Sequence, residues 1–216
     1  MPPDSDQNPY RWVILVLLWL LYAAFGIISR SIFPLVTPIL RDLNLSYSQM
    51  GFILGSWQLT YIGAALVAGA VLDRWGVRKS IFAGAIVIGL SAALRYYTVG
   101  FITMLTAVAL FGVGGPMISV GGPKTISLWF RGRSRGTAMG VYTTGSWVGG
   151  LTALALTNSL VMPLVDHSWR FTFVVYGTTA FAVALLWLLL ARGDGTEEHQ
   201  RGSGIIEVFG QLIKIG

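Results

Sequence analysis

A single arginine inside the first long apolar stretch is the clearest candidate for chemistry in this sequence. Arg30 follows Phe25-Gly-Ile-Ile-Ser and precedes Ser31-Ile-Phe-Pro34, so apolar and small residues flank it on both sides. A lone arginine at the centre of a membrane helix costs about 2.5–3.5 kcal/mol on insertion scales, so it usually faces a wet cavity or a partner. The six long apolar segments contain no Asp or Glu. An unpaired guanidinium suits an anionic substrate, which it binds through two parallel hydrogen bonds.

The alternative for Arg30 is that its side chain extends outward to the lipid headgroups. Roughly nine more apolar or small residues follow it in the same segment, which argues against this. Three polar side chains of the first two segments are expected to line the cavity beside Arg30: Tyr22, Gln58 and Tyr61. Ordinary hydrogen bonds between helices are the alternative for each of them.

Two further basic residues are secondary candidates for anion contact. Arg95 lies near the outer end of the third apolar segment, close to Tyr96 and Tyr97. We expect its side chain to extend outward to the membrane surface instead. Lys124 follows Pro123 near the inner end of the fourth segment, where it either closes an inner gate or reaches the headgroups.

Composition places the chain in a membrane. Its 216 residues are 54% hydrophobic and 11% charged, with a mean hydropathy of +0.68, whereas soluble domains have about 25% charged residues. There is no cysteine, and His167 and His199 both lie in polar loops, so we expect no metal site and no cofactor. No catalytic triad or phosphate-binding glycine loop is present, so an enzyme is not expected. The net charge of +6 lies mainly in short loops, which argues against nucleic acid as a partner.

The hydropathy pattern predicts an all-α membrane protein with six transmembrane helices. Each apolar segment has the roughly 20 residues needed to cross ~30 Å of hydrocarbon. Residues 1–11 are interpreted as a cytoplasmic leader, 12–191 as the six-helix bundle, and 192–216 as a cytoplasmic segment with an amphipathic helix from Ile205 to Ile215. Gly55-Ser-Trp57 recurs as Gly145-Ser-Trp147, as a repeat of three helices plus three would produce. The predicted segments are 12–40, 49–72, 80–98, 101–129, 136–161 and 171–191.

The distribution of Lys and Arg predicts the orientation, because cytoplasmic loops carry the excess of positive charge. If the N-terminus is inside, the outer loops hold only Arg41 and Arg170. Both termini are therefore expected in the cytoplasm. The inner loops and tails would hold ten basic residues: Arg11, Arg74, Arg78, Lys79, Arg131, Arg133, Arg135, Arg192, Arg201 and Lys214.

The loop between the second and third segments has a dense pattern, G-x-x-x-D-R-x-G-x-R-K, from Gly69 to Lys79. Gly69 is expected to let a helix end pack closely, and Gly76 to permit a tight turn. Asp73 offers a carboxylate to the positive N-terminus of a helix. The basic residues of the pattern would keep the loop on the cytoplasmic side: Arg74, Arg78 and Lys79.

This pattern resembles the loop between helices two and three of the major facilitator superfamily. Trp129-Phe130 with Arg135-Gly-x-Ala138, and Trp169-Arg170-x-x-Phe173, resemble later parts of the same family. The likeness covers nearly the whole chain and implies the N-terminal half of a twelve-helix transporter. It also implies that the 69–79 loop and Arg135 act in conformational change, with Asp73 capping a helix of the C-terminal half. The expected partner is that missing half or a second copy of the chain.

The segment from Ser29 to Ser46 resembles helix one of two anion-transporting branches, the organic anion symporters and a cyanate- and nitrate-like group. Both carry an arginine at the position of Arg30, which implies that Arg30 binds the substrate. The organic-anion group often has Asp before that arginine, and here the residue is Ser29. We therefore expect secondary active transport of a small anion by alternating access, in a bacterial or archaeal plasma membrane. The alternatives are a non-transporting scaffold or regulatory half-transporter, or a neutral or drug-like substrate.

Overall fold

The computed structural model describes residues 9–191, and within that range it contains six helical spans and no strand. Each span is long and apolar enough to cross a membrane, which confirms the all-α, six-helix prediction. Residues 1–8 of the predicted leader and the predicted amphipathic helix at 205–215 lie outside the described range. The spans are Tyr10–Asp42, Tyr47–Trp75, Val77–Tyr97, Phe101–Trp129, Gly132–Leu164 and Trp169–Leu190.

Short irregular turns interrupt three of the spans and end a fourth. Phe33–Leu35 and Arg95–Tyr97 are 3-10 turns, and Thr157–Val161 is a π-helical turn. The fourth span changes helix at Val120, four residues after Pro116. The α-helices of residues 9–191 are α1 (Tyr10–Arg30), α2 (Val36–Asp42), α3 (Tyr47–Trp75), α4 (Val77–Leu94), α5 (Phe101–Ser119), α6 (Gly121–Trp129), α7 (Gly132–Leu156), α8 (Met162–Leu164) and α9 (Trp169–Leu190).

The helix starts follow from local chemistry. Helix α1 begins at Tyr10, within the predicted leader of residues 1–11, so the helix starts two residues before the predicted bundle. Ser46 caps α3, because its side chain accepts a hydrogen bond from the Gln49 amide at 3.2 Å. The Gln49 side chain in turn accepts one from the Ser46 amide at 2.9 Å, which completes a capping box. Gly76 has φ 80°, so the tight turn predicted between α3 and α4 is present.

Glycine contacts set the pairing of α1 with α7. Any side chain added at Gly26 would meet the Ser146 carbonyl, and one added at Gly149 would meet the Ala23 carbonyl. The two backbones therefore approach closely, as small residues allow in membrane bundles. The close contact expected at Gly69 is not made within the described part of the chain, because a Cβ there would meet no atom within 4 Å. Other pairings are α3 with α5, and α4 with α5 and α9.

Polar contacts join the helices at both ends of the bundle. At the end that carries the 69–79 loop, called the basic end below, the Tyr10 hydroxyl donates to the Leu190 carbonyl. Trp187 also donates there to the Arg78 carbonyl at 2.9 Å. At the opposite end, Arg170 pairs with Asp42, which ties the start of α9 to the end of α2.

Candidate functional site

Arg30 lies deep in the first span. It is the last residue of α1, where the chain turns into the 3-10 segment that contains Pro34. At 1.5 Å per residue, its Cα lies about 30 Å from that of Tyr10 and about 18 Å from that of Asp42. The span is thus longer than the ~30 Å hydrocarbon core, and Arg30 lies within the span, at least about 18 Å from either end.

The Arg30 side chain lies across α7. Its Nη1 donates to the Ser146 carbonyl at 3.4 Å. Its guanidinium carbon is 5.0 Å from the centre of the Trp147 ring, which is 66% exposed. Arg30 forms no ion pair with any residue between 9 and 191. The half-buried guanidinium is therefore held by a carbonyl and an aromatic face and has no acidic partner in the described range.

Tyr22 is the predicted site residue that interacts with Arg30, and Tyr61 in turn interacts with Tyr22. The Tyr22 ring stacks on the Tyr142 ring with centroids 4.5 Å apart and an interplanar angle of 9°. The Tyr22 hydroxyl is within electrostatic range of both Tyr61 and Arg30. The Tyr61 and Ser119 hydroxyls share a hydrogen bond of 2.6 Å. We call Tyr22, Arg30, Tyr61 and Tyr142 the tyrosine–arginine cluster.

Gln58 makes no hydrogen bond or ion pair with the tyrosine–arginine cluster in the described part of the chain. Its side chain is exposed and has no hydrogen bond to a residue of the described range. Its neighbour Trp57 faces inward instead, with its ring centroid 6.1 Å from that of Tyr61 and 6.4 Å from that of Phe25. Gln58 therefore remains a prediction for the complete binding site.

Aromatic rings form one wall of the cluster. Phe25 lies between Tyr22 and Phe111, with centroid distances of 5.5 and 4.9 Å. Sequence reasoning did not assign Trp57, Trp147 or Tyr142 to the site. The repeated Gly-Ser-Trp pattern was the available signal, because both of its tryptophans border the cluster. A cation, tyrosine hydroxyls and aromatic faces suit a small hydroxylated anion with an apolar face.

The prediction that the Arg95 side chain extends outward is wrong. Its side chain is only 2% exposed, so it does not extend outward to the membrane surface. It lies inside the bundle, with Nη2 3.5 Å from the Ser91 hydroxyl and its guanidinium carbon over the Phe173 ring. It contacts no member of the tyrosine–arginine cluster, so nothing in the structure supports a second anion contact there.

Lys124 pairs with Asp73 at the basic end. This contact joins α6 to the last turn of α3 and gives Lys124 an acidic partner. The anion contact of Lys124 stays a prediction. The 69–79 loop is also held by Arg78, whose Nη2 donates to the Leu188 carbonyl of α9. Arg74, Lys79 and Arg135 are exposed at this end. Among the described residues, no three His, Cys, Asp or Glu side chains group as a metal site.

Residues 18–213 match the family described as the Major Facilitator Superfamily. The chain belongs to this superfamily. Its sequence is 29% identical over 192 residues to a hexuronate transporter of Bacillus subtilis (strain 168), covering 88% of this chain and 44% of the relative. It is 27% identical over 179 residues to a galacturonate transporter of Dickeya chrysanthemi, covering 82% and 51%. These relatives are named as transporters and not as enzymes, and their names agree with the organic-anion branch.

Solved structures give the same fold. A bacterial homologue of the human lysosomal transporter Spinster, inward-facing and unoccupied, matches with a TM-score of 0.78 at 22% identity, over 95% of this chain and 50% of that one. The proton:xylose symporter XylE matches with a TM-score of 0.73 at 18% identity, over 95% and 52%. The chain therefore spans about half the length of the transporters it matches, and it is an integral membrane protein.

Proposed function

We propose that this chain is the N-terminal half of a secondary transporter that carries a sugar acid, such as a hexuronate, across the membrane by alternating access. The observation that carries the proposal is the unpaired, half-buried guanidinium of Arg30 inside the first span. The carboxylate of the substrate would receive two N–H bonds from it. The names of the relatives, which include hexuronate and galacturonate transporters, support this substrate class.

The neighbouring side chains suit the rest of such a molecule. The half-buried hydroxyl of Tyr22, within electrostatic range of Arg30, would bond to substrate hydroxyls. Gln58 would complete the lining when the second half is present. Removing water around Arg30 strengthens its attraction for the carboxylate, so the site becomes strongest when both halves enclose it.

The remaining half of the site would come from a C-terminal six-helix half, or from a second copy of this chain. The excess of basic residues at the basic end, including Arg131 and Arg133, supports our proposal that this end and both termini lie in the cytoplasm. The membrane would be a bacterial or archaeal plasma membrane. The 69–79 loop and Arg135 would stabilise one access state there. Asp73 would exchange its partner Lys124 for a helix N-terminus of the other half.

Uptake of D-galacturonate by the complete transporter in proteoliposomes tests the proposal. Arg30→Gln should lower kcat/KM about 100-fold or more, because two hydrogen bonds to a charged group contribute about 1.5–3 kcal/mol each. Arg41→Gln is the matched control, because Arg41 is an exposed arginine at the end of the same span. Unchanged uptake by Arg30→Gln would exclude Arg30 from the substrate site.

Uptake assays in the same proteoliposomes distinguish a sugar-acid transporter from one with a neutral substrate and from a non-transporting protein. Saturable uptake of neutral galactose, unaffected by Arg30→Gln, would indicate a neutral substrate. A correctly inserted protein that moves neither compound, nor any anion that competes for binding, would favour a scaffold or regulatory role.

A further inference from the structure

The Arg30 side chain packs against helix α7. The Ser146 carbonyl accepts a hydrogen bond from Nη1 at 3.4 Å, and the Trp147 ring lies beneath the guanidinium at 5.0 Å. Gly150 is one turn further along the same helix and is buried. Gly150 follows Ser146 by four residues and Trp147 by three, so it lies beside each of them on the helix surface. Because all three contact Arg30, we call Ser146, Trp147 and Gly150 the α7 cradle.

Gly150 has a different neighbour from the other glycines of α7. The three atoms closest to a Cβ added at this position would all belong to Arg30, with Nε and Nη1 each at 2.9 Å and Cδ closer still. A contact below 3.0 Å is not tolerated, so the arginine side chain would have to move. Arg30 therefore occupies the space that a side chain at position 150 would fill.

The cradle controls which N–H groups remain for a ligand. A guanidinium is planar and has five N–H donors. Ser146 takes one of them, and Trp147 covers one face of the plane. A carboxylate must then approach in the plane at the remaining donors. A planar fork held in this way loses little freedom when the carboxylate binds.

We propose that Gly150 is a positioning residue of the anion site, which holds the Arg30 guanidinium against Ser146 and Trp147 in the orientation that receives a carboxylate. The proposal rests on the function proposed above, because it takes Arg30 as the anion ligand. It adds that affinity depends on a residue that never touches the substrate.

The adjacent glycine provides a matched control. A Cβ at Gly149 would meet the Ala23 carbonyl oxygen and carbon, so this glycine serves the packing of α7 against α1. Gly149→Ala must separate two helix backbones. Gly150→Ala moves only a flexible side chain and replaces a glycine inside a helix, which favours the helix. Two neighbouring, chemically identical substitutions thus separate a packing effect from a positioning effect.

The test measures D-galacturonate uptake and thermal unfolding of the complete transporter. Gly150→Ala should raise KM by about tenfold to a hundredfold, the effect of a shift of ~1 Å in a binding group, with kcat changed less than KM and Tm not lowered. Gly149→Ala should lower Tm. A KM for Gly150→Ala within about twofold of the wild type, or a loss of Tm like that of Gly149→Ala, would overturn the proposal.

Trp147→Phe and Trp147→Leu provide a second measurement, since the 66% exposed ring can be altered without disturbing the core. Phe keeps an aromatic face and should raise KM less than Leu; equal KM values for wild type and Leu would contradict the cradle. Arg30→Gln is measured alongside. If Arg30→Gln leaves uptake unchanged, the proposed function is wrong. If Arg30→Gln loses uptake but Gly150→Ala has the KM of the wild type, only the positioning role of Gly150 is wrong.

Discussion

The guanidinium carbon of Arg95 lies 4.8 Å from the centre of the Phe173 ring, inside the helix bundle. Its Nε and Nη1 are buried and have no hydrogen-bond partner among residues 9–191. An aromatic face contributes up to about 2 kcal/mol to a desolvated cation. Each buried donor left unpaired costs about 1–3 kcal/mol. The balance is unfavourable, so Arg95 contributes less to stability than its complete burial suggests.

Arg95→Met should therefore leave the stability of the complete protein unchanged or raise it by about 1–3 kcal/mol, because Met fills much of the volume without unpaired donors. Thermal unfolding in detergent measures the change. Arg41→Met, at an exposed position, serves as the control and should stay within about 0.5 kcal/mol of the wild type. A clear fall in Tm for Arg95→Met would show that this guanidinium has a stabilising partner in the folded protein.

Arg170 should matter more for stability than its ion-pair partner Asp42. Besides that pair, Arg170 donates to the Tyr96 carbonyl at 3.2 Å and to the Thr98 carbonyl at 2.9 Å. Asp42→Asn should cost about 0.5–1 kcal/mol, as a partly exposed ion pair does, whereas Arg170→Gln also leaves two carbonyls without a donor and should cost about 2–3 kcal/mol. Chemical unfolding of both variants measures the difference. Equal losses would mean that the carbonyl contacts contribute nothing.

The Asp73–Lys124 pair should contribute little to the free energy of unfolding, but its loss should change the rate of transport. The side chains are 73% and 33% exposed, so a double-mutant cycle of Asp73→Asn and Lys124→Gln should give a coupling of about 0.2–1 kcal/mol that falls with added salt. Lys124→Gln frees the carboxylate for the other half of the transporter. We expect it to change the uptake rate of the complete transporter while Tm stays nearly constant. Parallel losses of uptake and Tm would indicate a purely structural pair.

Local features of this fold follow from the sequence because short-range chemistry determines them. The Ser46 cap, the Gly76 turn and the six spans each depend on a few adjacent residues or on hydropathy over one segment. The depth of Arg30 follows from its position in a single apolar run. These features need no knowledge of which helices touch.

Contacts between distant segments could not be predicted in the same way. Lipid-facing and core-facing residues are equally apolar in a membrane bundle, so hydropathy does not reveal which side of a helix packs inward. The outward orientation expected for Arg95 failed for this reason, and the Asp73–Lys124 pair joins residues 51 positions apart. The cradle around Arg30 depends on α7, which lies 116 residues away at Ser146.

The stacked pair Tyr22–Tyr142 allows the ring and the hydroxyl of Tyr22 to be tested separately. Tyr22→Phe keeps the ring that stacks 4.5 Å from the Tyr142 ring but removes the hydroxyl, which is proposed above to bond to the substrate. A neutral hydrogen bond contributes about 0.5–1.5 kcal/mol, so KM for D-galacturonate should rise about two- to tenfold while Tm is unchanged.

Tyr22→Leu also removes the stacking contact, which contributes about 0.5–1.5 kcal/mol, and should lower Tm as well. Tyr97→Phe, at a 74% exposed position outside the cluster, controls for the loss of a hydroxyl and should leave KM unchanged. If Tyr22→Phe transports like the wild type while Tyr22→Leu loses both uptake and stability, Tyr22 supports the site only through its ring. The hydroxyls that recognise the substrate would then have to come from Tyr61 or from the other half of the transporter.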